Sequence, residues 1–350
     1  MDGTVMDQAV TTAEPASARR PSETPRAEFE AAFWRAVDDA HARFLSGAID
    51  QKSLWALLDP LHREAAGRAA ADRGGVEAAG ATAGRNTGPT PIAAAVERLR
   101  GGYDSVMYWP PLLEYYGGSD FVNFGFWDAA TSDARQASEN LMERLLAFIP
   151  DPRGLILDVA CGKGATTRHL QRHYAPGAIT GINISERQLE TCRRNAPGSK
   201  FVKMDATALE FDDASFDAAI CVEAAFHFNT RERFLREAAR VLKPGGRLVL
   251  CDLLLTPEAE ERRLGRYPAN YVHDKDAYAA LGRAAGFAEI QVIDASEECF
   301  NGAFRHLARY SHEKLLRGEM TPEGLRSFCG HIFTFVPDFR FYLLASFQKP

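Results

Sequence analysis

The stretch DVACGKGATT, Asp158 to Thr167, contains the end of an apolar strand, a glycine-rich turn and the opening of a helix. Gly162 and Gly164 let the backbone come close to a ligand, and a helix N-terminus favours negative groups. A GxG pair alone says little, so its neighbours decide the reading. A dinucleotide site wants G-x-G-x-x-G and an acid at the end of the second strand. Here Thr167 occupies the third glycine position and Asn183 the acidic one, which disfavours NAD.

Outward from that turn, strands and helices alternate. LILDVACG, GAITGINIS, KFVKMDAT, FDAAICVEA and GGRLVLCDLL read as strands. TTRHLQRHY, SERQLETCRRNA with Ser185 as N-cap, and RERFLREAARVL read as helices between them. That rhythm predicts βαβ units and a parallel sheet covered on both faces. FAEIQVIDA and FYLLASFQK add two late strands. The expected fold is a doubly wound, seven-stranded, mostly parallel α/β sheet.

The N-terminal part has another texture. Residues 1–26 are rich in Ala, Thr, Pro, Ser and charge and read as disordered. Residues 27–66 place Phe29, Phe33, Val37 and Ala40 at helical spacing, then Leu54, Leu57, Leu58 and Leu61 on one face of a second helix. Residues 67–91 hold 13 Ala or Gly among 25 and read as a flexible linker. The expectation is a helical appendage, open to self-association, ahead of a domain spanning 92–350 that folds without it.

The net charge of −6 argues against a general nucleic-acid binder. The six cysteines, at 161, 192, 221, 251, 299 and 329, form no CxxC pair, as expected of reduced thiols in the cytoplasm. No signal peptide or membrane span is expected.

Four elements in order resemble the class I S-adenosylmethionine-dependent methyltransferases, in their small-molecule, natural-product branch: LDVACGKGATTRHL, GINISERQLETC, KMDATALEFDDASFDAAICVEA and EAARVLKPGGRLVLCD. The resemblance covers about residues 101–350. It implies S-adenosylmethionine as cofactor. Ala160, Gly162 and Gly164 would then approach its methionine part, and Asp158 would organise the turn and the ammonium end. Asn183 and Gln188 would meet the ribose, Ile184 would also border the cofactor, and Asp205 would accept from the adenine amino group with Ala206 beside it. Ala160 stands where glycine is commoner and Asn183 where an acid often grips the ribose, so altered geometry with retained binding is expected.

Residues 101–127, GGYDSVMYWPPLLEYYGGSDFVNFGFW, contain nine aromatic side chains among 27. Such faces suit a sulfonium cation once water is excluded. Tyr103 and the NFGFW group match the family's lid.

The stretch CVEAAFHFNT, Cys221 to Thr230, falls at the end of the fourth strand, where ligands sit in open α/β sheets. An unperturbed imidazole titrates near pH 6.5, which makes His227 the preferred general base. Asp252, ending the fifth strand, would orient it, as in related O-methyltransferases. Glu223 matches a glutamate of the family's alkene-methylating enzymes and borders the cofactor. The expected activity is O- or N-methylation of a small, partly hydrophobic metabolite, without a metal. C-methylation of an isoprenoid-type alkene and non-catalytic cofactor binding are the alternatives.

Overall fold

The computed structural model describes residues 25–72, 105–264 and 268–350. The segment 1–24, most of the 67–91 stretch and Tyr103 lie outside the described residues. Seven strands form one sheet: β1 (Ile156–Val159), β2 (Ile179–Asn183), β3 (Lys200–Lys203), β4 (Phe216–Val222), β5 (Leu242–Leu255), β6 (Glu289–Asp294) and β7 (Phe339–Gln348). Their order is β3-β2-β1-β4-β5-β7-β6, and only β7 runs antiparallel to its neighbours. All four residues of β1 are buried, as befits a strand covered on both faces. Between β1 and β4 the strand order changes direction. The chain leaving β1 and the chain leaving β4 therefore part to opposite sides and open a crevice at the strands' carboxyl ends.

Helices α1 (Arg26–Leu45), α2 (Gln51–Asp72), α3 (Pro110–Tyr115), α4 (Ala134–Leu146), α5 (Ala165–Leu170), α6 (Glu186–Asn195), α7 (Arg231–Val241), α8 (Lys275–Ala284), α9 (Gly302–Leu316) and α10 (Pro322–Phe333) surround the sheet. Ser185 caps α6 by accepting the Gln188 amide, and Thr230 caps α7 by accepting that of Arg233. One apolar core, around Leu157, Phe234, Leu250 and Tyr278, lies under α7 and α8. The other joins Leu145, Ile156 and Val249 to α9, α10 and both N-terminal helices.

The N-terminal helices depart from the sequence expectation. Helix α2 continues through the alanine-rich GRAAAD to Asp72, where alanine's high helix propensity outweighs one glycine. The boundary at residue 66 therefore falls inside a helix. Phe33, Val37, Phe44, Leu54 and Leu58 are buried, while Leu57 points outward at 44% exposure. Phe44 packs on Phe304 and Phe333, and Trp55 stacks on Phe333 with ring centroids 5.3 Å apart. These helices share the main apolar core and are no appendage. Among the described residues, no helix is long and apolar enough to cross a membrane.

Candidate active site

The crevice holds a cavity of about 360 Å³. Its floor is the glycine turn. Asp158, at the end of β1, is 1% exposed and accepts from the Thr166 and Thr167 hydroxyls at 2.7 and 2.6 Å. Burial pushes its carboxyl up to about 6, against the pull of those two donors. Asp158 thus pins the first turn of α5 from beneath and does not border the cavity. The threonine that displaces the third dinucleotide glycine is spent on this acid.

The two glycines divide the work. Gly162 has φ +53°, and a Cβ built there meets only Met107 Cε, at 3.9 Å, so its face is open to the cavity. Gly164 has φ +86°, but a Cβ there would stand 2.9 Å from the Cα of Cys192. Its close approach is to helix α6, which corrects the expectation that it meets the cofactor. Ala160 borders the cavity at φ +57°, the left-handed region that explains why glycine is commoner there.

Asn183 ends β2. Its Nδ2 donates to the Gly162 carbonyl at 3.2 Å and to Gln188 Oε1 at 2.9 Å, and its Oδ1 accepts the Ser185 amide at 3.0 Å. A carboxylate has no proton for the first two bonds, so the amide is what ties the second strand to the glycine turn. Asn183, Ile184 and Gln188 border the cavity, with Gln188 buried on α6. Asp205 and Ala206 form the next wall. The Asp205 Oδ1 accepts the amide and hydroxyl of Thr207 at 2.8 and 2.9 Å. An open backbone cradle at Gly162, hydrogen-bonding amides, an acid and apolar walls from Ile184, Met204 and Ala206 meet on one cavity. This donor set fits S-adenosylmethionine.

Glu223 and His227 border the same cavity from the end of β4. Glu223 sits at φ +50°, and His227 closes the short turn Ala225–His227. The Glu223 Oε1 accepts the Phe124 amide at 2.7 Å and the Tyr342 hydroxyl at 2.6 Å. Burial pushes its carboxyl up to about 8. Asp252 corrects its expected role. It is fully buried, accepting from Arg231 Nε at 2.7 Å, Tyr278 at 2.9 Å and the Leu253 amide at 2.9 Å. A guanidinium 1% exposed needs a counter-charge, and Asp252 supplies it together with Glu260. The carboxylate lies away from the cavity wall on which His227 stands.

The aromatic segment divides as well. Tyr116, Phe121, Asn123 and Phe124 face the cavity. Phe126 instead lies under the Arg144 guanidinium, and Trp127 stacks on His306 with centroids 4.1 Å apart. Three further lining residues carried no signal in the sequence. Lys163, 1% exposed inside the glycine turn, pairs with Asp120 of the lid at 2.6 Å. Ile332 and Phe335, at and beyond the end of α10, also border the cavity. Only the tertiary fold brings these last two to β4.

The methyltransferase domain family matches residues 157–250. The 27-O-demethylrifamycin SV methyltransferase of Amycolatopsis mediterranei is 32% identical over 225 residues, 60% of this chain and 79% of that one. The phthiotriol/phenolphthiotriol dimycocerosates methyltransferase of Mycobacterium tuberculosis is 31% identical over 194 residues, 51% of this chain and 72% of that one. Among solved structures, that of the [4+2]-cyclase SpnF superposes with a TM-score of 0.55 at 26% identity, covering 73% of this chain and 96% of that one. With its sheet order, its glycine turn and these relatives, the chain belongs to the class I S-adenosylmethionine-dependent methyltransferases of small molecules, an enzyme with S-adenosylmethionine as its cofactor.

Proposed function

We propose that the enzyme methylates an oxygen or nitrogen of a small, largely hydrophobic metabolite in cytoplasmic biosynthesis, with His227 as general base. One observation carries the reading: His227 stands on the wall of the same apolar cavity as Gly162, Asn183 and Asp205. Gly162, Asn183, Ile184, Gln188, Asp205 and Ala206 would hold the cofactor. When bound, S-adenosylmethionine supplies an electrophilic methyl group on a sulfonium. His227 would take the acceptor's proton as the nucleophile is needed, and Tyr116, Phe124, Ile332 and Phe335 would exclude water. The rifamycin relative carries an oxygen in its substrate's name, which supports the O-methyl reading.

Glu223 speaks against alkene methylation. Burial pushes its carboxyl up to about 8, which weakens it as a counter-charge for a carbocation. Its Oε1 is already committed to Phe124 and Tyr342.

The test has two stages. Candidate hydroxylated and amino metabolites are incubated with methyl-labelled cofactor, and products are analysed for label on O, N or C. With an acceptor found, His227→Ala is expected to lower kcat by roughly 10²–10⁴-fold with cofactor Kd unchanged, and Glu223→Gln to be milder. A carbon-bound label, with Glu223→Gln the severe variant, would establish the alkene chemistry instead.

A further inference from the structure

Away from the cavity, the fold brings together three side chains that the sequence reading assigned no role. Glu143 lies in the last turn of α4, His169 in α5 and His173 in the turn just after it. The Glu143 Oε1 is 2.6 Å from His169 Nε2 and 3.1 Å from His173 Nε2, and the three ligand atoms lie within 4.8 Å of one another. The two imidazoles are near-parallel, 29° apart, as an i, i+4 pair on one face. We propose that Glu143, His169 and His173 form a binding site for a borderline divalent transition metal such as Zn²⁺, Co²⁺ or Ni²⁺.

The donor set selects the ion. Two neutral imidazoles and one carboxylate suit zinc and its neighbours, whereas Mg²⁺ and Ca²⁺ prefer oxygen ligands alone. The site is built on one side and open on the other. The His169 side chain is 2% exposed, which fixes its place, while those of His173 and Glu143 are 29% and 51% exposed. An ion can therefore enter from solvent and keep water in its remaining position. At metal–ligand bonds of about 2.0–2.2 Å, tetrahedral ligand atoms stand about 3.3 Å apart, so each carboxylate–imidazole contact has to open by under about 1 Å.

The surrounding charges set the conditions. Arg172 Nη1 lies 3.4 Å from His169 Nδ1 and 3.2 Å from Glu139 Oε2, and Glu139 also holds Arg135. With a guanidinium beside it, Nδ1 accepts and Nε2–H donates to Glu143. The metal must displace that proton, leaving Nδ1 protonated and requiring Arg172 to swing away toward Glu139. Arg172 is thus the group that opposes the ion, and its removal is expected to tighten binding. The ion would tie α4 to α5, the helix whose first residues, Ala165 and Thr166, border the cofactor cavity.

Full-length protein without added affinity-tag histidines is titrated calorimetrically with ZnCl₂, with Co²⁺ as spectroscopic probe and Mg²⁺ as control. One zinc per chain in the micromolar range is expected, with a four- or five-coordinate Co²⁺ absorption band and no Mg²⁺ response. His173→Ala and Glu143→Gln should each weaken zinc by about tenfold or more, and Arg172→Gln should strengthen it. His173→Ala should leave cofactor affinity unchanged and abolish the rise in thermal midpoint that zinc gives the native protein. Absence of saturable binding up to millimolar zinc, or binding undiminished in both His173→Ala and Glu143→Gln, would overturn the site. Because His173 is on the surface, its variant reads binding without the risk to folding that replacing His169 carries.

Discussion

The Tyr342 hydroxyl donates to Glu223 Oε1 at 2.6 Å, joining β7 to the end of β4. The same oxygen accepts the lid amide of Phe124 at 2.7 Å, so a single carboxyl oxygen fastens β4, β7 and the lid together. Burial pushes this carboxyl from the ordinary 4.5 up to about 8. The folded chain therefore keeps a proton that the unfolded chain releases near pH 4.5. Its contribution to stability is fully present below pH 4.5 and is lost as pH rises through about 8. Glu223→Gln removes that dependence. Thermal melts from about pH 5 to about pH 8.5 should show the variant gaining on the native protein as pH rises, and parallel curves would contradict the assignment.

Gly162 and Gly164 should separate binding from stability. Gly162→Val places its side chain in open cavity space, so cofactor affinity should fall by about tenfold or more, with a backbone cost of about 1–2 kcal/mol. Gly164→Ala meets the Cα of Cys192 at 2.9 Å and should cost about 1–3 kcal/mol of stability. Calorimetry beside chemical denaturation checks the split. Equal effects of the two substitutions on affinity would refute it.

The N-terminal helices should prove necessary. Without residues 1–89, Phe304 and Phe333 lose Phe44 and Trp55, and the support behind Ile332 and Phe335 goes with them. A chain starting near Thr90 is expected to aggregate or to melt well below the native protein. Trp55→Ala alone should cost about 3–5 kcal/mol. A shortened chain that is soluble and melts like the native one would show that these contacts contribute little.

A buried histidine cluster should shape the acid limb. His62 Nε2 lies 3.0 Å from His312 Nε2, His312 Nδ1–H donates to the Ala308 carbonyl at 2.6 Å, and the His41 ring meets that of His312 edge-on. Burial pushes His41 and His62 down to about 4 and holds His312 well below the ordinary imidazole range. Around His62, Asp59 pulls upward and Arg326 downward. The folded chain thus refuses protons that the unfolded chain takes up near pH 6.5. The stability these rings contribute is present above pH 6.5 and is lost as pH falls through about 4. His41→Phe, keeping a ring against Phe304 and Phe333, should flatten the acid limb of a stability–pH profile. An unchanged limb would count against it.

The sheet was legible in the chain because its determinants are local: buried strands are continuous apolar runs, and turns and caps need particular residues at particular places. The meeting of Gly162, Asn183 and Asp205 on one cavity followed for the same reason, since each ends or follows a strand that already has its place. What the sequence could not show were partners chosen across long separations. Asp252 was drawn to His227 by strand register, but a guanidinium buried beside it has the stronger claim. Gly164 was assigned to a ligand although its neighbour is Cys192 of the next helix. Glu143 meets His169 and His173 only because α4 packs beside α5, and Phe33, Phe44 and Trp55 enter the core only because α9 and α10 offer an apolar face. Periodicity announces that a face will be buried, but not what will bury it. That is decided by packing and charge pairing in three dimensions.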